Sequence, residues 1–245
     1  MISFIVPAYN EELLLPLTLS ALHAAARSMG EPYEIVVADD DSSDRTAAVA
    51  EEQGARVVHV AHRQIAAARN SGARAAKGEI FVFVDADTLV NSAVVRAALE
   101  SVRAGSVGGG CELRFDGELP LWGRLMVSAF RPLYRVGRLA SGSFLFCTRS
   151  AFEAVGGFDE TLFAAEEAVM SKALRRHGGR HGRFVVLRET VLTSGRKLRS
   201  YSGWEVFRVL SRLAFFGRRA LRSRRGLEIW YGARRDDPQK IGGRP

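Results

Sequence analysis

Several features that mark whole protein classes are missing from this chain of 245 residues. It has two cysteines, Cys111 and Cys147, in separate segments and in no CxxC or Cys/His spacing. That argues against a disulfide scaffold and against a zinc–thiolate site, and two reduced, packed thiols suit a cytoplasmic protein. No apolar run reaches the ~18 residues of a membrane-spanning helix. The opening "MISFIVPAYNEE" lacks a basic leader, a long apolar stretch and a small-residue cleavage site, so it reads as a core strand rather than a signal peptide. Neither an internal repeat nor a low-complexity tract interrupts the pattern. Acidic residues are scarce in the last third: residues 171–245 hold 5 Asp and Glu against 20 Lys and Arg, whereas residues 1–170 hold 22 against 15. The net charge of +8 thus divides into −7 and +15. An acidic body suits cation binding or catalysis, and a basic tail is drawn to anionic surfaces.

What is present is a regular alternation. With 47% hydrophobic residues the chain can bury one sizeable α/β core. Apolar runs at 3–8, 33–38, 55–60 and 79–84 read as strands, and helices are expected over 15–29, from a cap at Ser42 or Ser43 to about Gln53, over 65–77 and, after an Asn91 cap, over 92–103. The strands are continuously apolar, as in a Rossmann-like, mostly parallel sheet covered by helices on both faces. The second half is less regular, with strands expected at 106–115 and 142–148. Helices are expected at 120–137, after Ser150 up to Gly156-Gly157, and at 164–178.

Three polar clusters, "YNEE" (9–12), "DDDSSD" (39–44) and "DADT" (85–88), follow expected strands. In such sheets ligands bind beyond the carboxyl ends of the strands, so the clusters converge on one edge. Their mutual repulsion calls for something positive between them. Asp85 and Asp87, two apart, would face the same way on a strand and could grip one hard cation, Mg²⁺ or Mn²⁺. The plainer reading is a loop start in which Asp87 caps a helix.

"FIVPAYNEE", "EIVVADDDSSDRT", "AAARNSGARAAKGEIFVFVDADT" and "GGFDETLFAAEEAVMSKALRRHG", in this order and spacing, closely resemble the family 2 glycosyltransferases of GT-A fold over roughly residues 3–198. The resemblance implies a nucleotide-sugar donor held by Pro7, Tyr9, Glu11, Asp39, Asp40 and Arg69, with Asp85, Ala86 and Asp87 as the DxD. In that motif Asp87 ligates the metal directly and Asp85 contacts ribose, or the metal through water. Glu166-Glu167 fall where the family has an acid pair, so Glu167 takes the slot of the general base that deprotonates a hydroxyl acceptor, with inversion at the anomeric carbon. The alternative for the pair is two acids favouring a helix N-terminus through its dipole. Arg69-Asn70 match an "ARN" of many members, or else merely display an arginine on an amphipathic helix. Arg196 and Lys197 sit where relatives carry a basic segment that closes over the diphosphate, and His181 is a weaker candidate for a metal. "DDDSSDRT" also resembles the polyprenyl-phosphate sugar synthases of the same superfamily. These lack the acid pair, because a phosphate acceptor is already ionised, so the pair here favours a hydroxyl.

The expected organisation is a glycosyltransferase domain over 1–198, with a nucleotide-sugar half (1–105) and an acceptor half (106–198). A basic amphipathic helical extension follows over 199–235, and a disordered end over 236–245. On the helix at 203–222, Glu205, Arg208, Arg212, Arg219 and Arg222 share one arc. That helix either lies on an anionic membrane, giving a cytoplasmic protein peripheral on the inner face and serving a lipid-linked acceptor, or packs on the core with its arginines in water. Nucleic acid is not expected, since no nucleic-acid motif accompanies the arginines. A non-catalytic sugar-nucleotide-binding protein at the membrane is the reading from a different class.

Overall fold

The computed structural model describes residues 1–137 and 140–232, without the side chains of residues 130–139, 180, 210, 213–216 and 218. The expected disordered end therefore lies outside the described residues. The first half runs β1 (Ile2–Ala8), α1 (Leu15–Arg27), β2 (Tyr33–Asp40), α2 (Thr46–Glu52), β3 (Arg56–Val60), α3 (Ile65–Ala75), β4 (Ile80–Val84), β5 (Thr88–Leu89) and α4 (Ser92–Arg103). The second half runs β6 (Ser106–Phe115), α5 (Leu121–Gly137), β7 (Phe144–Thr148), α6 (Arg149–Val155), α7 (Glu166–His181) and β8 (Arg183–Thr193). Four helices follow: α8 (Arg196–Ser200), α9 (Gly203–Phe216), α10 (Arg218–Leu221) and α11 (Glu228–Tyr231).

One eight-stranded sheet runs β3-β2-β1-β4-β7-β6-β8-β5. β3, β2, β1 and β4 are parallel, β7 is antiparallel to both β4 and β6, and β8 pairs parallel to β6. The continuous apolar strands have a simple cause: both faces are buried. Phe4, Val6, Val82 and Val84 pack with Leu15, Leu19 and Leu22 of α1 and with Val94 and Val95 of α4. Their neighbours Ile5, Phe81 and Phe83 point the other way, into Ala66 and Ala73 of α3, Phe152 of α6 and Met170 and Leu174 of α7. Cys111 and Cys147 belong to opposite layers and are free thiols, and burial pushes Cys111 up to about 12.

Several expected boundaries move. β2 extends through Asp40, because Asp39 and Asp40 pair with β3 residues His59 and Val60, so these acids end the strand rather than follow it. α2 begins at Thr46, where Asp44 accepts from the Thr46 amide at 3.0 Å. Ser42 and Ser43 instead bond to Asn10. Thr148, not Ser150, caps α6 by accepting from Ala151 N at 3.1 Å. α7 starts at Glu166, after a left-handed Ala165 (φ 60°), and continues past Gly178 to His181. β5 and β8 were not expected at all. Their pairing, Thr88 with Thr193 and Leu89 with Leu192, brings the segment after β8 beside the DAD turn.

The Asn91 cap falls as expected. Its side chain accepts from Val94 N at 3.0 Å, and its Nδ2 donates to Thr190 O at 2.9 Å, so one residue starts α4 and ties it to β8. Asn91→Ala is expected to lower the unfolding free energy by about 1 kcal/mol in urea titration, with the slope of the transition unchanged.

Candidate active site

A cavity of about 310 Å³ opens at the carboxyl ends of β1, β2 and β4. Pro7, Tyr9 and Glu11 enter it from the end of β1, Asp40 from β2, and Asp85, Ala86 and Asp87 from the turn after β4. Asp85 and Asp87 lie in that turn and not on the strand, so the expected two-residue strand alternation does not orient them. The turn is held by Thr18 Oγ1, which donates to Ala86 O at 2.8 Å, and by Ser194 N, which donates to Asp87 O at 3.1 Å.

Two arginines supply the positive charge that the acids require. Arg69, on α3, is 2% exposed. Its guanidinium donates to Glu166 Oε1 at 2.6 Å, to Asp85 Oδ1 at 2.8 Å and to Gly142 O at 3.1 Å. Burial opposes its charge, but Asp85, Glu166 and Glu167 together outweigh that and raise its pKa. Arg196, at the start of α8, is equally buried and bridges Glu11 and Asp87, with Asp87 Oδ2 at 3.2 Å. Burial raises the Asp87 carboxyl, and the charges of Lys197 and Arg196 counter it. Lys197 lines the cavity beside them. Asp85 also accepts from Ser143 Oγ at 3.2 Å.

The acid pair divides. Glu166 is fixed on Arg69, while Glu167, the next residue of α7, lines the cavity with no salt-bridge partner among the described residues. Burial, and then the neighbouring Glu166 charge, push Glu167 up to about 8, with Arg69 pulling the other way. Gly142 makes room for this arrangement: a Cβ there would stand 3.0 Å from Arg69 Nη2 and 3.7 Å from the Glu167 carboxyl carbon.

Other expected residues have different surroundings. Asp40 spends both oxygens on backbone, accepting from His62 N, Arg63 N and Gln64 N at 2.6, 2.7 and 2.8 Å, and so shapes the loop between β3 and α3. Asp39 is buried but is not part of the cavity wall, and its partner is His59 at 3.4 Å. The Tyr9 ring is covered by the Arg63 guanidinium, 4.1 Å from its centroid. Asn70 brackets Phe158, accepting from its amide and donating to its carbonyl at 2.9 Å each, and so anchors the loop that leads to α7. His181 stacks on His177 at the far end of α7, away from the cavity.

The sequence reading missed Arg63, Gln64, Ser143 and, above all, Arg224, Ile229, Trp230 and Tyr231, which complete the wall. Ser143 falls inside the strand expected over 142–148, which gives it no site role, whereas β7 begins only at Phe144. The 224–231 stretch carries no motif. Among the described residues no group of three or more His, Cys, Asp and Glu forms a metal site by itself. The donor set still fits a hard cation: the carboxylates of Asp85 and Asp87 both line the cavity, and Mg²⁺ commonly takes one or two carboxylates and completes its shell with substrate phosphates.

Comparison with known proteins adds the following. The model of "Glycosyl transferase family 2" matches residues 3–156. An undecaprenyl-phosphate 4-deoxy-4-formamido-L-arabinose transferase of Pseudomonas paraeruginosa is 40% identical over 99 residues, 36% of this chain and 28% of that protein. Among solved structures, the mannosyltransferase PcManGT from Pyrobaculum calidifontis, in complex with GDP-Man and Mn²⁺, superposes with a TM-score of 0.67 at 22% identity. That match covers 89% of this chain and 63% of that one. TarS of S. aureus in complex with UDP-GlcNAc gives 0.63 at 22% identity, covering 86% and 66%. The chain thus spans under a third of that curated relative and about two thirds of each structural neighbour.

Arg69→Met leaves the buried Glu166 and the half-buried Asp85 without their common cation. The expected loss is about 3–5 kcal/mol of stability, read by denaturant unfolding, and a loss within ±0.5 kcal/mol would show that the bridge is not structural.

Proposed function

The chain is a member of glycosyl transferase family 2, and on that premise we propose that it moves a sugar from a nucleoside-diphosphate sugar to a hydroxyl acceptor, with inversion. The observation that carries the reading is the division of the acid pair: Glu166 is neutralised by Arg69, and Glu167 faces the cavity with its carboxyl raised to about 8. A general base works best when its pKa lies near the operating pH.

The donor would lie along the edge formed by β1, β2 and β4, with its base toward Tyr9, Arg63 and Asp40 and its diphosphate toward Asp85 and Asp87. Asp87, with Asp85, would hold a divalent ion, Mg²⁺ or Mn²⁺. When bound, that ion offsets the negative charge that gathers on the departing diphosphate. Arg196 and Lys197 are placed to face the same charge. Glu167 takes the acceptor proton as the acceptor oxygen bonds to the anomeric carbon and the bond to the diphosphate breaks, in a single displacement.

A second reading is supported by the similarity to an undecaprenyl-phosphate transferase. A phosphate acceptor is already ionised and needs no base. The two readings part at Glu167→Gln. For a hydroxyl acceptor kcat is expected to fall by about 10²–10⁴-fold, with UDP or GDP binding in Mn²⁺ unchanged. For a phosphate acceptor kcat stays within a few-fold. For wild type on a hydroxyl acceptor, kcat/KM is expected to rise with pH and level off above about 8, as Glu167 ionises. A wild-type protein that binds a nucleotide sugar and turns over none would support the non-catalytic reading.

The membrane is the further proposed partner. No helix among the described residues is long and apolar enough to cross one, so contact would be peripheral. α9 buries Val206 and Val209 and turns Trp204 and Phe207 outward, 66% and 56% exposed and stacked at 5.4 Å. Gly203 lies against Trp122 of α5, whose Leu121 and Leu125 are 71% and 64% exposed. The outward face is therefore aromatic and aliphatic, flanked by exposed Arg124 and Arg208, and the single helix expected over 203–222 breaks at Gly217, so Arg219 and Arg222 leave the expected arc of Glu205, Arg208 and Arg212. Apolar insertion ringed by arginine suits an anionic bilayer. The Trp204→Ser/Phe207→Ser double variant is expected to lose flotation with phosphatidylglycerol vesicles at low salt while keeping UDP binding. Equal flotation of variant and wild type would remove this surface from consideration.

A further inference from the structure

The last described stretch of the chain is part of the active-site wall. Arg224, Ile229, Trp230, Tyr231 and Gly232 line the same cavity as Asp85, Asp87 and Glu167, although they lie some seventy residues beyond the segment that the family model matches. They are held there by specific contacts. Leu221 O accepts from Phe163 N at 2.7 Å, and Glu228 O accepts from the Tyr201 hydroxyl at 2.7 Å. Ala164, Val209 and Leu227 form a small buried cluster, against which Phe163, Leu221, Ile229, Trp230 and Tyr231 pack. The Phe163 and Tyr231 rings meet edge to face at 5.7 Å. Phe163 and Ala164 directly precede the Glu166-Glu167 turn, so the same cluster that seats α11 also fixes the approach to the acid pair.

Two donors in this corner have no acceptor among the described residues. The Tyr231 hydroxyl is enclosed and faces the Ile65 amide without reaching hydrogen-bond geometry. Arg69 Nε is enclosed and unpartnered as well, though its two terminal nitrogens are engaged. Burial, and then the Glu166 charge, disfavour the tyrosinate, so the hydroxyl stays protonated and is a donor. A buried polar group without a partner is unfavourable unless a ligand or water completes it. Arg224 lies over the Tyr231 ring, 5.1 Å from its centroid, which leaves that cation engaged with the aromatic face rather than presented as a bare phosphate clamp.

An aromatic surface beside an unpartnered hydroxyl is the chemistry that accepts a pyranose: C–H faces against rings, and a ring hydroxyl on the phenol. We propose that Trp230 and Tyr231 form a hexose subsite of this chain, with the Tyr231 hydroxyl hydrogen-bonded to one sugar hydroxyl. The subsite rests on the glycosyl-transfer reading above and sharpens it. The donor residues from Pro7 to Asp87 lie within the family-matched segment, and this wall, beyond it, adds selection for which sugar is handled. The hexose is either the one on the donor or one on the acceptor, and the recognising chemistry is the same.

The test uses the full chain with Mn²⁺ and three proteins: wild type, Tyr231→Phe and Trp230→Ala. Calorimetric affinities are measured for UDP, UDP-glucose, GDP and GDP-mannose. Binding of methyl glucoside and methyl mannoside to the nucleoside-diphosphate complex is followed by saturation-transfer NMR. If the donor hexose is held, both variants bind the preferred nucleotide sugar about tenfold more weakly, and the bare nucleoside diphosphate is unaffected. If an acceptor hexose is held, donor affinities stay as in wild type and the hexoside signal is lost in both variants. Should Trp230→Ala fail to fold, Tyr231→Phe decides alone, because it removes only the hydroxyl. Unchanged binding in both assays overturns the subsite and leaves the function standing. A wild type that binds none of the four nucleotides overturns the function and the subsite with it.

Discussion

Everything at this sheet edge depends on two buried arginines. The fold points Glu11, Asp85, Asp87, Glu166 and Glu167 into one small cavity, and that much negative charge could not share a partly dry space unaided. Arg69 binds Asp85 and Glu166, and Arg196 binds Glu11 and Asp87. Each arginine thereby joins an acid on the parallel half of the sheet to the rest of the site. Arg69 carries that link across to α7. Arg196 is delivered from the other direction, by the short antiparallel pairing of β5 with β8. A cation on either arm alone would leave the opposite pair of carboxylates unbalanced.

The same economy explains why two adjacent glutamates have different characters. They start one helix and share its N-terminal field, yet consecutive helical residues are about 100° apart and point to different neighbours. Glu166 meets Arg69. Glu167 meets the open cavity above Gly142, where no side chain fills the space. Its raised carboxyl follows from burial and from the neighbouring acid, with Arg69 only partly compensating. Glu166 is thus held by Arg69, and Glu167 is the member of the pair that lines the cavity, as the proposed base would have to.

Much of this was legible in the sequence because it is local. The alternation of apolar runs and helices, the Asn91 cap and the convergence of "YNEE", "DDDSSD" and "DADT" on one edge follow from periodicity and from the parallel βαβ rule. What escaped is long-range pairing. β8 carries a mixed pattern with Arg188 and Glu189 in its middle and a register shift opposite Cys111–Glu112, so it does not read as a strand. Without β8, residue patterns alone do not tell where Arg196 goes, and only the family resemblance set it beside the diphosphate. The resemblance counts Asp40 among the donor residues, but that its oxygens also hold three backbone amides depends on a tight loop that composition does not reveal. The tail misled for a different reason. Its arginine arc was visible, but helical periodicity shows only that two faces exist. Tertiary packing chose Val206 and Val209 for the inside and left Trp204 and Phe207 outside.

The distribution of satisfied and unsatisfied groups along the cavity divides it in two. At the end formed by β1 and β2, Asp40 is held by three backbone amides and the Tyr9 face is covered by Arg63. That end is pre-organised and costs little to present. At the opposite end, around the start of α7 and the α11 wall, the Tyr231 hydroxyl and Arg69 Nε are enclosed without partners among the described residues, and Glu167, half-buried at the cavity, has no salt-bridge partner among them. A folded chain tolerates such groups where binding or chemistry repays them, because each interaction they lack is one a ligand can supply. The imbalance therefore marks, independently of any motif, the end of the cavity that the proposed transfer would use. It lies where a helix start, a glycine and the last described turn of the chain meet, which sets the distal segment 224–232 beside the acids that would carry out the transfer.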